Sequence, residues 1–572
     1  MNPWELNLCV ICEGNLVTTP HHSQFPAIEL IVAELRAGGD HAVSARRLDG
    51  EGLAYGTAQV DANTVRESPH LRYVICGNGH LFFAGYGGMQ GSNQPPPLTP
   101  QVVAMIGSPA AGKSYLLIRT LHQSLPGEPS IRSRNERSLT NPVFASLSSQ
   151  YTLSAADGTV LTPTGLGNTP GELIPQLLDF DDSWQYIVDA IHAWNPEIDD
   201  AKIRATWRHS IFQPVIRDYQ VYPSTDNHAN RTPGHRIQLY VTDLAGEQFT
   251  PADLPFDMIA QRQRAIHLAG FDALVWTIDT AICDSFREWA DDGAVTALLG
   301  SLRPEKADLY QAVEDRRATQ EELATTISDD GFNVSGGGRQ EFIVTIAKAD
   351  LFHHTLANRS LAELGATPGL VRRGIERYLR SMFSEGVTLP LFKLVNVIPG
   401  PTGIDPEMLH TRIGQLSQAL VSQFSNPDIF WNLVETGEPF TVTVDVHEPN
   451  VHHPNWEFDV MSEAESIATQ RRFNVHVTAR TAMISALGAG LCYGLGLGDT
   501  IDALLQQRDR RTSFAVVSAL GGVPSTVEGP DGELRLSGEH ADSTHTVGLA
   551  NARDNSAGLQ HLLMSMIRRV AS

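Results

Sequence analysis

The octapeptide Gly107-Ser108-Pro109-Ala110-Ala111-Gly112-Lys113-Ser114 fits the pattern G-x-x-x-x-G-K-[ST] at every position, and it constrains this chain more than any other segment. It follows an apolar run, Val102 to Ile106, and precedes a helical pattern from Tyr115 to Leu121. A buried strand that enters a glycine-rich turn and leaves as a helix lets backbone N–H groups converge on a phosphate, with the positive end of the helix dipole behind them. In such a P-loop Lys113 reaches the β- and γ-phosphates, the Ser114 hydroxyl holds Mg²⁺, and Tyr115 follows at the start of the helix. The flanks therefore predict an α/β fold whose first strand is Val102 to Ile106.

A chain of 572 residues with a 42% hydrophobic fraction can bury a sizeable core and can hold more than one domain. Its net charge of −23 repels nucleic acid and anionic lipid, and its densest basic cluster, Arg508, Arg510 and Arg511, is short. The most apolar stretch, Ala482 to Leu497, is interrupted by glycines and falls short of the ~20 residues that cross a bilayer. Met1 to Val10 lacks the basic start and sustained apolar segment of a secretory signal, and five cysteines do not suggest a disulfide framework. These features predict a cytoplasmic location, with no membrane span and no nucleic-acid partner.

The run Pro95-Pro96-Pro97 within the polar stretch Gly85 to Pro100 favours an extended spacer. It divides a small N-terminal module, residues 1–93, from a linker at 94–101 and a large domain at 102–572. Within the large domain, strand-like runs at Ile211 to Tyr222 and Ile237 to Thr242 are joined by turn-forming residues that suit a hairpin. Gly270 to Ile278, which ends at Asp279, and Glu341 to Ile346 read as further buried strands, with a helix from Ala307 to Ile327 between them. Leu173 to Trp194 and Pro406 to Phe424 have helical patterns, and Phe440 to Val446 resembles a strand. Ser485 to Asp499 is glycine-rich without a clear period, and the chain ends in an amphipathic helix, Leu559 to Val570. Strands alternating with helices predict a mostly parallel sheet flanked by helices.

Two further runs carry chemistry. Leu239 to Asp243 is an apolar strand that ends in a carboxylate, followed by Leu244-Ala245-Gly246-Glu247-Gln248. An Asp at the end of a strand beside the P-loop can hold a water of the Mg²⁺ shell, and Gly246 lets a backbone N–H approach the γ-phosphate. The other run is Phe342-Ile343-Val344-Thr345-Ile346-Ala347-Lys348-Ala349-Asp350, a buried strand that leads into Lys-x-Asp. Read from its residues alone, the alternative for this end is a solvated helix start capped by Asp350.

With these motifs the sequence resembles the Ras-like and translation-factor class of P-loop GTPases, whose guanine-reading motif is [NT]-K-x-D. The resemblance implies a Ras-like G domain, with GTP or GDP and Mg²⁺ as ligands. It assigns the Asp350 carboxylate to the guanine ring and the Lys348 stem to the face of the base, whereas Ala347 stands where the class has Asn or Thr. Its fifth loop, Ser-Ala-x after the last strand, matches Ser518-Ala519-Leu520; a competing strand, Phe392 to Ile398, lies nearer to Asp350 but lacks Ser-Ala. The motif order is that of the class, but the spacing requires large insertions, at about 125–205 and 355–510. Long insertions, the Asp-Leu-Ala-Gly-Glu sequence and an N-terminal cysteine module are similar to the organisation of bacterial double-GTPase families found beside conflict and defence genes.

For hydrolysis, Glu247 occupies the position after Asp-x-x-Gly where small GTPases place the water-orienting Gln, and Gln248 comes next. A Mg²⁺-binding Thr is expected between Ser114 and Ile211, where Thr162, Thr164 and Thr169 are candidates and Thr164 is the choice. The implied activity is a slow GTPase switch that signals to a protein effector or regulator. A P-loop ATPase acting as a motor or signalling module, and a nucleotide-binding scaffold without hydrolysis, are the alternatives.

In the N-terminal module, Cys9-Val10-Ile11-Cys12 pairs with Cys76-Gly77-Asn78-Gly79-His80 as a candidate four-ligand Zn²⁺ site of Cys9, Cys12, Cys76 and His80. A small module with little core would gain its stability from that metal. Cys283 and Cys492 read as small core hydrophobes.

Overall fold

The computed structural model describes residues 27–34, 41–47, 55–56, 70–75, 81–87, 99–108, 111–121, 130–134, 192–193, 214–222, 235–243, 272–283, 306–328, 340–349, 367–384, 405–424, 441–445, 455–459, 479–506, 510–518, 525–528, 534–537 and 558–567.

In the N-terminal module the described residues form strands β1 (Ile28–Glu34), β2 (His41–Arg47), β3 (Tyr55–Gly56), β4 (His70–Ile75) and β5 (Leu81–Gly87). They pair antiparallel in the order β3-β2-β1-β4-β5. Ile28, Leu30, Ile31, Val74 and Ile75 are buried on β1 and β4. Where the sequence suggested little core, the module thus has apolar side chains withdrawn from water on its central strands, a source of stability independent of any metal.

The large domain begins with β6 (Thr99–Gly107), helix α1 (Lys113–Leu121), β7 (Ser130–Arg134), β8 (Pro214–Tyr222), β9 (His235–Asp243) and β10 (Ala273–Asp279). A 3₁₀ turn, Thr280–Ile282, precedes α2 (Lys306–Ser328), β11 (Gln340–Ala347), α3 (Thr367–Ser384) and α4 (Pro406–Phe424). Next come the paired strands β12 (Thr441–Asp445) and β13 (Asn455–Asp459), then α5 (Ala479–Gly494), α6 (Gly498–Gln506) and β14 (Arg510–Val516). The paired strands β15 (Ser525–Glu528) and β16 (Leu534–Ser537) and helix α7 (Leu559–Ile567) complete the described elements.

One seven-stranded sheet has the order β14-β11-β10-β6-β9-β8-β7. The strands from β14 to β9 run parallel, whereas β8 pairs antiparallel with β9 and β7 antiparallel with β8. The hairpin expected from the two runs around residues 211 and 242 is the β8–β9 pair. Parallel strands covered on both faces favour near-continuous apolar runs, and all of β10 from Ala273 to Asp279 is buried.

The two sheet faces have different covers. On one, Val103, Met105, Val275, Ile343 and Ala515 join Leu116, Leu117 and Leu121 of α1 and Leu559, Leu562, Leu563, Met566 and Ile567 of α7 in one apolar cluster. Each of those large α7 side chains contributes about 1.5–3 kcal/mol by leaving water. On the other face Phe514 meets Tyr378 of α3 edge-on, with ring centroids 5.5 Å apart, and the Ser485 hydroxyl of α5 donates to the Phe514 carbonyl at 3.0 Å. The domain is therefore an α/β fold with a largely parallel sheet between helical layers.

Helix α5 departs from the sequence expectation, because Ser485 to Asp499 carried no readable period. Every described side chain from Ala482 to Leu495 is buried, and a helix wrapped on all sides has no polar face from which a period could be read. Its glycines mark close approach. A Cβ on Gly488 would stand 2.6 Å from the Phe514 Cβ, and one on Gly374 of α3 would stand 2.6 Å from the Ala489 carbonyl and 2.8 Å from the Gly490 Cα. Gly374→Ala is expected to destabilise the protein by about 1–3 kcal/mol, since backbone must move to admit the methyl. Urea unfolding would register this as a lower midpoint with an unchanged slope; an unchanged midpoint would contradict the packing.

Candidate functional site

The carboxyl ends of the parallel strands gather four of the residues that the sequence singled out, Gly107, Asp243, Lys348 and Ser518. Strand β6 lies between β9 and β10, so its two neighbours, later in the chain, flank it on opposite sides. In open α/β sheets ligands bind at the carboxyl edge where strand order reverses in this way. Here β6 ends at Gly107, β9 ends at Asp243, β10 ends at Asp279, Lys348 follows β11, and Ser518 lies two residues beyond β14. The register aligns Asp243 with Met105, Thr277 with Gly107, and Asp279 with Ala347.

The turn from β6 into α1 has the features of an anion cradle. Gly107 lies against the neighbouring strand so closely that a Cβ there would be 2.5 Å from the Thr277 carbonyl oxygen. Gly112 has φ +88°, a left-handed conformation that favours glycine, and among the described residues nothing lies within 4 Å of where its Cβ would be. The Lys113 ammonium donates to the carbonyls of Gly107 at 3.0 Å and Ser108 at 2.9 Å, so it is folded over the turn that precedes it. The Ser108 hydroxyl is buried without a hydrogen-bond partner among the described residues. Open space at Gly112, a lysine across the turn and a helix starting at Lys113 suit a phosphate group. Ser114 and Tyr115 occupy the first turn of α1.

Across the edge from this turn, β10 and β11 end in a linked pair. The Lys348 ammonium donates to Asp279 Oδ1 at 2.6 Å, and the same oxygen accepts the Ala281 amide at 3.1 Å. Asp279 is fully buried, whereas 21% of the Lys348 side chain is exposed. The Asp279 amide donates to Gln320 of α2 at 2.9 Å, and the Thr280 hydroxyl donates to the Ala347 carbonyl at 2.8 Å. Lys348 has φ 61°, the one positive φ at a non-glycine among the described residues. The backbone then joins the β14 loop: Ala349 N donates to Val517 O and Val517 N to Ile346 O, both at 2.9 Å. The Lys348 and Ser518 segments, distant in sequence, are thus stitched together directly.

Asp279 was visible in the sequence only as the end of a strand. Its signal was a strand-like run that terminates in a carboxylate, as Leu239 to Asp243 does, but nothing in the sequence tied it to Lys348. Thr164, Gly246, Glu247, Gln248, Asp350 and Ala519 lie outside the described residues, as do Cys9, Cys12, Cys76 and His80. Among the described residues no group of three or more His, Cys, Asp or Glu could hold a metal. Cys283 and Cys492 are both buried, and burial, followed by the nearby Cys283, holds the Cys492 thiol well above its ordinary range. Among the described residues no helix is long and apolar enough to cross a membrane.

Compared with protein-family models, curated proteins and solved structures, the chain matches none.

Proposed function

We propose that this protein is a P-loop nucleotide switch that binds guanine nucleotide with Mg²⁺ and hydrolyses GTP slowly. One observation carries the reading: segments dispersed from residue 107 to residue 518 converge on one sheet edge. On this reading the turn that leads into Lys113 would take the phosphates, and the joined segments after β11 and β14 would take the base. When bound, Mg²⁺ would neutralise phosphate charge, with Ser114 and Asp243 as the residues to hold it or its waters. Lys113 would exchange its two carbonyl acceptors for phosphate oxygens. Glu247 and Gln248 remain the candidates for orienting water, with Thr164 for the first switch. An effector or regulator protein would read the switch, and a role in bacterial defence or signalling rests on the resemblance of organisation.

Titration of the full chain with labelled GTP and ATP, with and without Mg²⁺, tests this reading. Tighter binding of Mg²⁺-GTP supports it; tighter binding of ATP favours the motor or signalling ATPase, for which Ala347 in place of Asn or Thr already speaks. Asp350→Asn is expected to shift preference from GTP toward xanthosine triphosphate, because each charge-assisted bond to the base is worth about 1.5–3 kcal/mol. Competition between the two nucleotides measures that shift, and unchanged selectivity would remove Asp350 from the base site. The Zn²⁺ site of Cys9, Cys12, Cys76 and His80 stands as a separate proposal. One zinc per chain is expected in purified protein by elemental analysis, and a zinc-free, folded N-terminal module would refute it.

A further inference from the structure

Asp279 has no place in the motifs that suggested a nucleotide site, yet it is the buried carboxylate on which the Lys348 segment hangs. Its Oδ1 holds both the Lys348 ammonium and the Ala281 amide, while Oδ2 has no hydrogen-bond partner among the described residues. A fully buried carboxylate is costly to desolvate and is retained only where a partner compensates. Around it, the Lys348 turn is over-determined. Thr280 grips the carbonyl before it, the amide of Ala349 after it bonds to Val517, and Lys348 itself stands at a φ of 61° that side-chain-bearing residues seldom adopt. These backbone contacts fix where the turn lies, and among the described residues the ion pair fixes its side chain. With the ammonium at Asp279, the methylene stem of Lys348 runs from the end of β11 across to the end of β10, the strand beside the phosphate-cradle strand.

We infer that Asp279 is a positioning residue for base recognition: by anchoring the Lys348 ammonium it holds the Lys348 stem as a fixed apolar face against which the planar base of a guanine nucleotide packs. This rests on the guanine-nucleotide reading above and adds the group that pre-organises it. A stem already immobilised loses little rotamer freedom when the base arrives, so releasing it weakens binding of the base without touching binding of the phosphates.

Calorimetric titration of the full chain with Mg²⁺-GTP and with Mg²⁺-tripolyphosphate, which has no base, tests the inference. Asp279→Asn and Lys348→Met should each weaken GTP about tenfold, leave tripolyphosphate within about twofold, and combine without further loss because the two act as one unit. Lys348→Arg, which keeps the charge and the reach, should recover most of the affinity. GTP binding unchanged in Asp279→Asn, parallel loss of tripolyphosphate, or additive losses in the double variant would overturn it. If Asp279→Asn does not fold, Lys348→Met against Lys348→Arg decides: both keep a long stem and differ in the charge that Asp279 holds, so normal GTP binding by Lys348→Met overturns the inference. Failure of the parent reading is visible separately, in unsubstituted protein that binds ATP as tightly as GTP; that result removes both.

Discussion

Lys113→Ala is expected to abolish nucleotide binding at micromolar concentrations while the protein remains folded. Two charge-assisted hydrogen bonds to phosphate, at about 1.5–3 kcal/mol each, correspond to a loss of two decades or more in affinity. The change removes a side chain that donates to the carbonyls of Gly107 and Ser108, and the apolar side chains of α1 at Leu116, Leu117 and Leu121 keep that helix seated. Lys113→Arg should fail as well, since a planar fork cannot substitute for a compact ammonium folded over so tight a turn. Fluorescence titration with a labelled nucleotide, beside a thermal melt, separates lost binding from lost fold. Near-normal affinity in a folded Lys113→Ala protein would refute the phosphate site.

Gly558→Ala carries the largest expected effect on stability. Gly558 has φ +73°, and a Cβ there would fall 1.9 Å from the Val516 carbonyl oxygen and 2.9 Å from its carbon, both backbone atoms of β14. No side-chain rotation relieves such a contact. Helix α7 would have to lift from the sheet, where the His561 ring lies 2.8 Å from the Phe514 carbonyl oxygen and Gln101 donates to the Met566 carbonyl. Left-handed strain of about 1–3 kcal/mol adds to the burial forfeited by α7, so a loss of 3 kcal/mol or more is expected. Because Val517 and Ser518 leave β14 at the same point, nucleotide affinity should fall together with stability. Urea denaturation measures the first, and a midpoint equal to that of the unsubstituted protein would show that α7 does not dock as described.

Local patterns made several elements readable in the sequence. The octapeptide from Gly107 to Ser114 placed a strand before it and a helix after it, and β6 and α1 lie there. Pro406 to Phe424 has one polar face, hence a period, and it is helix α4 from end to end. The interiors of strands β10 and β11 are buried and read as mostly apolar runs, with Thr277 and Thr345 among their polar members. Each of these signals is local because the physical demand, a tight turn or an apolar stripe, falls on consecutive residues.

Helix α5 and Asp279 were decided otherwise. Wrapped on every side, α5 has no contrast between faces, and its glycines look like breakers until Phe514 and Ala489 are found against them. The sequence alone determined which residues could form strands, the glycine-bearing segment and lysine between β6 and α1, and the order in which they occur. Which strands became neighbours of β6, and that the Asp279 carboxylate would meet Lys348 across the sheet edge, depended on the tertiary structure. Pairing between parallel strands and contacts between buried charges join residues far apart in the chain, and no spacing along the sequence records a distance that only the packing of whole elements sets.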